Sequence, residues 1–317
     1  MNTDSLAVLQ QQLTTALHTP PAETRRLFHG RGRCWPGLEQ ITVDWLQGVL
    51  LVSLFREPAA DELAALKPML LALAQATPQV QSLILQHRYL PDSAAEWLLG
   101  EPVDTWFIDE DGLRYQLDLG RKQNIGLFLD MRYGRRWVRE QAAGKRVLNL
   151  FAYTCGFSLT AIAGGAEHVV NLDMARAALS RGRDNHRLNG HDLDRVSFLG
   201  HELFKSWGKV KRGGPYDMVI IDPPSFQRGS FVLTQDYRKV LRKLPELLTE
   251  GGVVLACVND PAIGSDFLIQ SMAEEAPGLV FRHRLANPPE FPDAEAEGGL
   301  KALVFVPGVD TPLSSNT

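Results

Sequence analysis

The chain has 317 residues and a formal net charge of −4, and 44% of its residues are hydrophobic while 22% are charged. This balance is typical of a globular protein with a sizeable core, and the slightly acidic total excludes a protein that binds polyanions through bulk charge. Because no apolar run reaches the ~18 residues of a membrane-spanning helix and the first residues lack the basic and apolar regions of a secretory signal, we expect no membrane attachment and a cytoplasmic location.

The first part of the chain, residues 1–92, has the pattern of a small α+β domain. The predicted helices cover residues 6–17, 22–28 and 60–76, and the predicted strands cover residues 41–43, 49–55 and 80–86. A glycine-rich, basic loop runs from His29 to Gly37. This domain is either a structural cap on the rest of the chain or, through that loop, a recognition element.

A β-hairpin is predicted next, within a connector that covers residues 93–125. Two short alternating runs surround Asp111-Gly112, a dipeptide that favours the two-residue turn of a hairpin. A helix through Val138 follows and ends at Gly144. If this helix begins at its first arginine, one face carries Arg132, Arg135, Arg136 and Arg139.

Buried strands and helices alternate over residues 126–309. The predicted strands are residues 147–151, 169–173, 196–199, 216–222, 251–258, 280–284 and 301–306, and the predicted helices are residues 158–163, 175–189, 203–209, 237–248 and 267–275. Such alternation predicts an α/β domain with a seven-stranded, mostly parallel sheet and right-handed crossovers. The last residues, 310–317, have the composition of a disordered tail.

Two strand ends carry residues that suit a nucleoside. The apolar run that starts at Val147 breaks into small and polar residues before a helix, and Asp173 ends the next apolar run. In nucleotide-binding βαβ units, an acid at this second position binds the ribose hydroxyls. Gly156 lacks the G-x-G-x-x-G spacing that brings backbone amides to a diphosphate. The sequence therefore favours a ligand with a ribose but no diphosphate, such as S-adenosylmethionine.

The motif Asp222-Pro-Pro-Ser-Phe226 directly follows another apolar run. Pro223 and Pro224 remove two backbone donors and fix φ, so the carbonyl oxygens there are rigid acceptors at the carboxyl edge of the sheet. Acceptors of this kind can hold an amino group. The alternative is that the prolines only end the strand.

The spacing of the cysteines indicates neither a metal site nor disulfide bonds. Cys34, Cys155 and Cys257 lack C-x-x-C spacing, so neither a zinc site nor a disulfide framework is predicted, and we expect no metal. Cys155 lies beside Gly156 in the loop after the first strand of the α/β domain. We interpret it as a packing residue rather than a nucleophile.

From about Gly112 to its last strand, the chain resembles the bacterial large-subunit ribosomal RNA methyltransferase family, which has the class I, Rossmann-like fold and uses S-adenosylmethionine. The resemblance covers the larger part of the chain and depends on motifs that follow one another in family order and spacing. These motifs are Gly126-Leu-Phe-Leu-Asp-Met-Arg132, Leu148-Asn-Leu-Phe-Ala-Tyr-Thr154, Asp173, Asn185-His-Arg-Leu-Asn189, Glu202-Leu-Phe204, Asp222-Pro-Pro-Ser-Phe226, Tyr237 and Leu300-Lys301.

The resemblance implies a cofactor site made by several segments. The residues around the methionine part would be Asn149, Phe151, Tyr153, Thr154 and Gly156. The residues at the ribose and the adenine would be Asp173, Met174, Glu202 and Leu203. The residues that close over the cofactor or lie beside its methyl group would be Asp130, Arg132 and Asp222. For Glu202, the alternative is a carboxylate that stabilises a helix N-terminus.

The resemblance also bears on the reaction, with Asp222, Pro223, Pro224 and Asn259 as the expected catalytic residues. Methylation of carbon 5 of a pyrimidine needs a thiolate that first adds to carbon 6. In the cytosine-methylating relatives this cysteine matches Asn259, whereas Cys257 lies ~6.6 Å deeper in the sheet at ~3.3 Å per residue. Asn259 can instead donate and accept hydrogen bonds. We therefore predict methylation of a base nitrogen in large-subunit ribosomal RNA.

Three clusters of basic residues are compatible with RNA as the partner. They are Arg25, Arg26, His29, Arg31 and Arg33; Arg132, Arg135, Arg136 and Arg139; and Arg238, Lys239, Arg242 and Lys243. Each is either an RNA-binding surface or a solvated face. The alternative functions are a protein or small-molecule N-methyltransferase and a non-catalytic, cofactor-binding module that docks on RNA. A homodimer is compatible with the sequence.

Overall fold

The computed structural model describes residues 1–119, 123–227 and 231–308, so the predicted tail at residues 310–317 lies outside the described residues. The chain forms two compact units. Unit 1 consists of Met1–Arg136, Asp184–Gly190 and Asn287–Gly299, and unit 2 consists of Trp137–Arg183, His191–Ala286 and Leu300–Thr317. Both units combine segments that are distant in sequence.

In its described part, unit 1 contains a five-stranded sheet with two helices. Its elements are α1 (Thr3–His18), β1 (Arg25–His29), β2 (Ile41–Trp45), β3 (Val49–Leu54), α2 (Ala60–Ala76), β4 (Ser82–His87) and β5 (Ala95–Leu99). The strands lie in chain order, and only β3 and β4, which α2 connects, are parallel. Leu9, Leu13 and Leu17 place one face of α1 in the core at the four-residue spacing of a helix.

One prediction for this unit is wrong, and one strand was not predicted. Residues 22–28 are expected to be helical, but β1 pairs antiparallel with β2, and Arg26 faces Asp44 across the strands and forms a two-pronged ion pair with it. This partner is distant in sequence, so local spacing does not reveal it. The strand β5 was not predicted, and it continues the sheet past the expected boundary at residue 92.

The predicted hairpin is confirmed as β6 (Thr105–Glu110) and β7 (Leu113–Asp118). Asp111 and Gly112 both have positive φ, 50° and 74°, as a type I′ turn requires. The predicted helix is α3 (Arg132–Gln141), and a 3-10 turn, Leu129–Met131, precedes it.

An asparagine pair binds the outer edge of the hairpin. Asn189 accepts a hydrogen bond from the Arg114 amide at 2.8 Å and donates one to the Arg114 carbonyl at 2.7 Å. Asn185 accepts from the Gln116 amide at 2.9 Å. Residues four apart share a helix face, and residues two apart share a strand edge, so the spacing of the Asn185-x-x-x-Asn189 motif satisfies one edge of β7.

In its described part, unit 2 contains a seven-stranded sheet in the order β10-β9-β8-β11-β14-β16-β15. Its strands are β8 (Arg146–Leu150), β9 (His168–Leu172), β10 (Val196–Leu199), β11 (Tyr216–Ile221), β14 (Leu248–Val258), β15 (Leu279–Arg284) and β16 (Lys301–Pro307), with a short pair β12 (Phe226–Gln227) and β13 (Phe231–Val232). The pairings from β10 to β14 are parallel, whereas β16 pairs antiparallel with β14 and β15. The prediction of a mostly parallel, seven-stranded α/β sheet is confirmed.

The helices of this fold are α4 (Gly156–Ala163), α5 (Arg176–Leu188), α6 (Trp207–Arg212), α7 (Leu233–Leu241), α8 (Leu244–Leu247) and α9 (Ser265–Glu275). The single helix expected over residues 203–209 is a 3-10 turn, Leu203–Lys205, followed by α6. The single helix expected over residues 237–248 is α7 and α8, because Pro245 cannot continue a preceding helix and is accommodated in the first turn of α8. Among the described residues, no helix has both the length and the apolar character needed to cross a bilayer.

Candidate active site

The predicted site residues of unit 2 follow strands that end at the same edge of the sheet. Leu150 pairs with Leu172 on one side and with Ile221 on the other. Ile221 in turn pairs with Ala256, and Leu172 with Leu199. The chain order reverses between β8 and β11, which is the topological switch point where open α/β sheets bind ligands. With ~4.8 Å between strands, the edge from β10 to β11 spans about 14 Å, enough for a nucleoside with an attached side chain.

The loop after β8 has an unusual backbone. Phe151, Tyr153 and Cys155 have φ values of 58°, 49° and 64°, a region that residues with a Cβ rarely adopt. Each costs on the order of 1 kcal/mol or more, and such strain persists only where surrounding contacts hold it. The Ala152 amide donates to the Leu172 carbonyl at 3.0 Å, which joins the loop to the end of β9. The loop is therefore held in one shape.

Asp173 is the main support of this loop. Its Oδ2 accepts a hydrogen bond from the Tyr153 amide at 2.9 Å, and its Oδ1 accepts one from the Ala175 amide at 2.7 Å. The residue is 9% exposed, and burial raises the pKa of its carboxyl although these two hydrogen bonds oppose the rise. Each oxygen of a carboxylate accepts about two hydrogen bonds, so both retain capacity for ribose hydroxyls.

Asn149 lies below the loop in a buried amide network. Its Nδ2 donates to Asn171 Oδ1 at 2.9 Å, and Asn171 donates to Ser158 Oγ at 2.9 Å. All three residues are at most 1% exposed. Apolar spacing does not predict this network, which satisfies polar groups inside the sheet and fixes α4 against β8 and β9.

A recess lies beside the loop, and residues from three strand ends line it. The lining residues are Phe151, Leu172, Asp173, Met174, His201, Glu202, Leu203 and Phe204. Glu202 Oε1 accepts a hydrogen bond from the Phe204 amide at 2.8 Å and so caps the 3-10 turn. Glu202 therefore makes a capping contact, at a 3-10 turn rather than at a longer helix, and its carboxylate also lines the recess. Met174, 42% exposed, contributes an apolar wall.

The Asp222-Pro-Pro motif leaves the end of β11, with Asp222 half-buried, Pro223 buried and Pro224 exposed. Tyr237, fully buried on α7, reaches this point from the side. Its hydroxyl lies 3.2 Å from the Ile221 carbonyl and 3.0 Å from the Cys257 carbonyl. Tyr237 therefore fixes the spacing of the two strand ends that carry Asp222 and Asn259. The resemblance to the family includes Tyr237 but does not imply this role.

Cys257 and Asn259, the two positions considered for contact with the base, lie on either side of the end of β14. Cys257 is 0% exposed inside the sheet, whereas Asn259 is exposed one residue beyond the strand. The buried amine of Lys301 donates to the Asp260 carbonyl at 2.7 Å. This contact positions the backbone next to Asn259.

Cys155 packs against α5 rather than opening into solvent. It is 0% exposed, and burial raises the pKa of its thiol, with a further rise from the charge of Asp173. A Cβ added at Gly182 would lie 2.3 Å from Cys155 Sγ, so the glycine makes room for the thiol. These contacts support a packing role for Cys155.

Two of the arginines of α3, Arg132 and Arg135, are buried in ion pairs rather than solvated. Within unit 1, Arg132 is 6% exposed and donates to both oxygens of Glu290 at 2.8 and 2.9 Å. Arg135 is 3% exposed and pairs with Glu110, and Arg136 pairs with Asp111. Asp130 and Arg132 belong to unit 1, while the other predicted site residues belong to unit 2. Their role toward a cofactor stays a prediction.

The unit 2 residues form a donor and acceptor set that fits S-adenosylmethionine. Asp173 offers acceptors for a ribose, the recess offers apolar walls for a planar base, and the tight loop offers backbone groups but no diphosphate cradle. No cluster of three or more His, Cys, Asp or Glu side chains with metal-binding geometry occurs in the described ranges.

Comparisons with known proteins identify the family of the chain. The sequence profile of the S-adenosylmethionine-dependent methyltransferase family matches residues 25–306. The chain is 35% identical to ribosomal RNA large subunit methyltransferase I of Aeromonas salmonicida over 49% of the chain and 40% of that protein. It is 30% identical to the putative ribosomal RNA large subunit methyltransferase YwbD of Bacillus subtilis over 75% of the chain and 61% of that protein. The chain thus spans less than two thirds of either relative.

A solved structure shows the same fold. The putative methyltransferase SMU.776, solved in complex with SAH, superposes with a TM-score of 0.84 at 23% identity, over 96% of this chain and 81% of that one. At this identity the likeness concerns the fold alone.

Proposed function

Because the chain belongs to the S-adenosylmethionine-dependent methyltransferase family, we propose that it transfers a methyl group from this cofactor to a nitrogen of a base in large-subunit ribosomal RNA. The observation that carries the proposal is the shared sheet edge. There, Asp173 follows β9 and Asp222-Pro-Pro224 follows β11, on either side of the strained loop after β8. The names of the relatives support ribosomal RNA as the substrate class.

The cofactor supplies a methyl group on a positively charged sulfonium. The lone pair of the base nitrogen would form the new C–N bond while the C–S bonding pair stays on sulfur, and a nitrogen that carried a hydrogen would then release its proton to water. Such a displacement needs the three atoms in line, so the protein acts mainly by positioning and by excluding water. The carboxylate of Asp222 and the carbonyl oxygens of the prolines would accept hydrogen bonds from the base, which aims its nitrogen.

Asn259 and Cys257 support nitrogen rather than carbon 5 as the acceptor. A thiolate that adds to carbon 6 of a pyrimidine must reach the base and must ionise. Cys257 is fully buried, and the hydroxyl of Tyr237 contacts its carbonyl. Asn259, exposed at the strand end, has an amide that can donate to and accept from a base edge.

The test uses methyl-labelled cofactor with total RNA, isolated ribosomal subunits and a protein extract as separate acceptors. We expect label in large-subunit RNA, as an N-methylated base after digestion to nucleosides. Asp222→Ala and Asn259→Ala should lose this activity, and Cys257→Ser should retain it. Label that appears only in protein, or no turnover with any acceptor, would refute the proposal.

The chemical class of the product has its own control. RNA that contains 5-fluorocytosine traps enzymes that attack carbon 6 as a covalent adduct. We expect no adduct with the wild-type chain. An adduct that disappears in Cys257→Ser would overturn the nitrogen assignment while leaving the methyltransferase assignment intact.

A further inference from the structure

A cluster of guanidinium groups in unit 1 carries more positive charge than its neighbours neutralise. Arg26 is paired, since Asp44 accepts from its Nε at 2.7 Å and from its Nη2 at 3.1 Å. Arg31 has neither a carboxylate partner nor a hydrogen-bond acceptor among the described residues; its guanidinium carbon lies 4.3 Å from the centre of the Phe55 ring. Arg88 also lacks a carboxylate partner within the described ranges, and its guanidinium carbon lies 5.0 Å from the same ring centre.

The two unpaired guanidinium groups therefore lie close together. Their separation cannot exceed the sum of their distances to the Phe55 ring centre, which is below the screening length of about 10 Å at 0.1 M salt. Partial burial and the charge of Arg26 lower the pKa of Arg31, and burial with the charges of Arg31 and Arg26 lowers the pKa of Arg88, although the charge of Asp44 opposes this second fall. The arrangement is thus electrostatically unfavourable in the free protein.

His29 is neutral in this cluster, so it contributes neither negative nor positive charge. Burial, followed by the charges of Arg26 and Arg31, lowers its pKa to about 3. The imidazole is therefore neutral at physiological pH. Its Nδ1 lies 2.7 Å from Arg26 Nη1 and accepts a hydrogen bond from it. The histidine and Asp44 together hold Arg26 in place, so that Arg31 and Arg88 are the groups with unused donors.

The backbone around Arg31 is fixed by two glycines that side chains cannot replace. A Cβ at Gly30 would lie 1.8 Å from the Leu38 carbonyl oxygen, and one at Gly32 would lie 1.8 Å from the Pro292 carbonyl oxygen. The 3-10 turn Gly30–Gly32 is thereby packed against two other backbone segments while Arg31 itself is exposed. The two glycines of the Gly-Arg-Gly sequence therefore fix the backbone from which the Arg31 side chain extends.

Arg88 shows the unmet hydrogen-bonding capacity directly. Its Nη2 donates to Asn124 Oδ1 at 3.3 Å, and its Nε has no partner in the described part of the chain but is buried, so an anion would bind through the Nη donors. Guanidinium groups bind phosphate oxygens through paired N–H donors, and an anion here would relieve the repulsion between Arg31 and Arg88.

We propose that Arg31 and Arg88 form a binding site for a phosphate group of the RNA backbone. The phosphate chemistry follows from unit 1 alone, whereas the assignment to RNA rests on the proposed function. A backbone contact of this kind positions RNA without reading its sequence.

The experiment measures binding of a short, fluorescein-labelled, single-stranded RNA to the whole chain by anisotropy at several salt concentrations. In Arg31→Gln/Arg88→Gln we expect roughly tenfold weaker binding and a salt slope that is smaller by roughly 0.7 per lost contact. Arg31→Lys/Arg88→Lys keeps the charges and should retain most of the slope. An unchanged slope in the glutamine variant overturns the proposal.

The matched control is Arg114→Gln/Arg187→Gln. It removes the same charge from the surface of unit 1, but Asp109 and Asp184 pair with these two arginines. We expect its salt slope to equal that of the wild type; a decrease as large as that of the Arg31/Arg88 variant would mean that net charge alone acts, which overturns a defined site.

A second measurement distinguishes binding of a phosphate group from binding of RNA as a whole. Sodium phosphate should raise the thermal unfolding midpoint of the wild type above that in sodium chloride of equal ionic strength, and the glutamine variant should lose this difference. RNA binding that depends on Arg31 and Arg88 without methyl transfer would retain the site and refute the proposed function. Methyl transfer by the wild type, together with unchanged RNA binding in the glutamine variant, would support the proposed function and refute the phosphate site.

Discussion

At the scale of single residues, Asp173 shows how one side chain can serve both structure and binding. Its two oxygens accept the amides of Tyr153 and Ala175, so the loop and the start of α5 depend on the same carboxylate that is expected to bind the ribose. A functional effect of changing this residue therefore includes a change in the loop.

We predict that Asp173→Asn weakens binding of S-adenosylhomocysteine by roughly 1.5–3 kcal/mol, because charge-assisted hydrogen bonds are lost. Binding uses the ionised carboxylate, and burial raises its pKa in the folded protein. The affinity of the wild type should therefore fall with decreasing pH, beginning above the ordinary value of 3.8. Calorimetry across this range should show no such fall in Asp173→Asn. Equal affinities at neutral pH would place the ribose elsewhere.

The contact between Cys155 and Gly182 gives a second prediction. Gly182→Ala should lower the free energy of unfolding by roughly 1–3 kcal/mol, because its Cβ would lie 2.3 Å from Sγ and 2.8 Å from Cβ of Cys155. Cys155→Gly removes both atoms and also suits the positive φ at that position, so the double variant should recover most of the loss.

Urea unfolding of the single and double variants measures this coupling. Gly208→Ala is the control, because Gly208 also lies in a helix of unit 2 but has no atom within 4 Å of an added Cβ. It should be neutral or slightly stabilising. Additive effects of Gly182→Ala and Cys155→Gly would show that the two residues do not interact.

At the scale of elements, the hairpin and α3 are joined by one buried and one exposed ion pair. Arg135 and Glu110 have side chains that are 4% and 2% exposed, with hydrogen bonds of 2.6 and 2.8 Å. Arg136 and Asp111, one residue further along each element, have side chains that are 44% and 24% exposed. The pairs thus differ mainly in burial.

We predict that Glu110→Gln lowers the free energy of unfolding by roughly 3–5 kcal/mol, since it removes the hydrogen-bonded counterion of the buried Arg135. Asp111→Asn should cost less than about 1 kcal/mol, because the pair is exposed and Asn tolerates the positive φ of the turn. Thermal and urea unfolding of both variants test the difference. Similar losses in the two variants would mean that the burial of Glu110 is not what matters.

At the scale of the whole molecule, the cofactor should stabilise unit 2 selectively. A ligand present at 100 times its dissociation constant stabilises the state that binds it by about 2.7 kcal/mol. We predict that S-adenosylhomocysteine slows amide hydrogen exchange in residues 151–156, 173–175 and 202–205. Slower exchange in residues 126–132 as well would support the predicted role of Asp130 and Arg132. Asp173→Asn under the same ligand concentration is the control, and protection that avoids residues 151–156 would contradict the site.

The sequence by itself determined the α/β architecture and the strand ends that carry the site. These depend on local periodicity and on motifs of a few residues, such as Asp222-Pro-Pro224, whose chemistry is present in the chain itself. The tertiary structure alone decided which charges are free and which polar groups are structural. Arg132 pairs with Glu290, 158 residues away, so one arginine of the expected basic face is buried in an ion pair. Arg31, in contrast, stays unpaired among the described residues, because the partners of a charged side chain are set by packing between distant segments rather than by its neighbours in sequence.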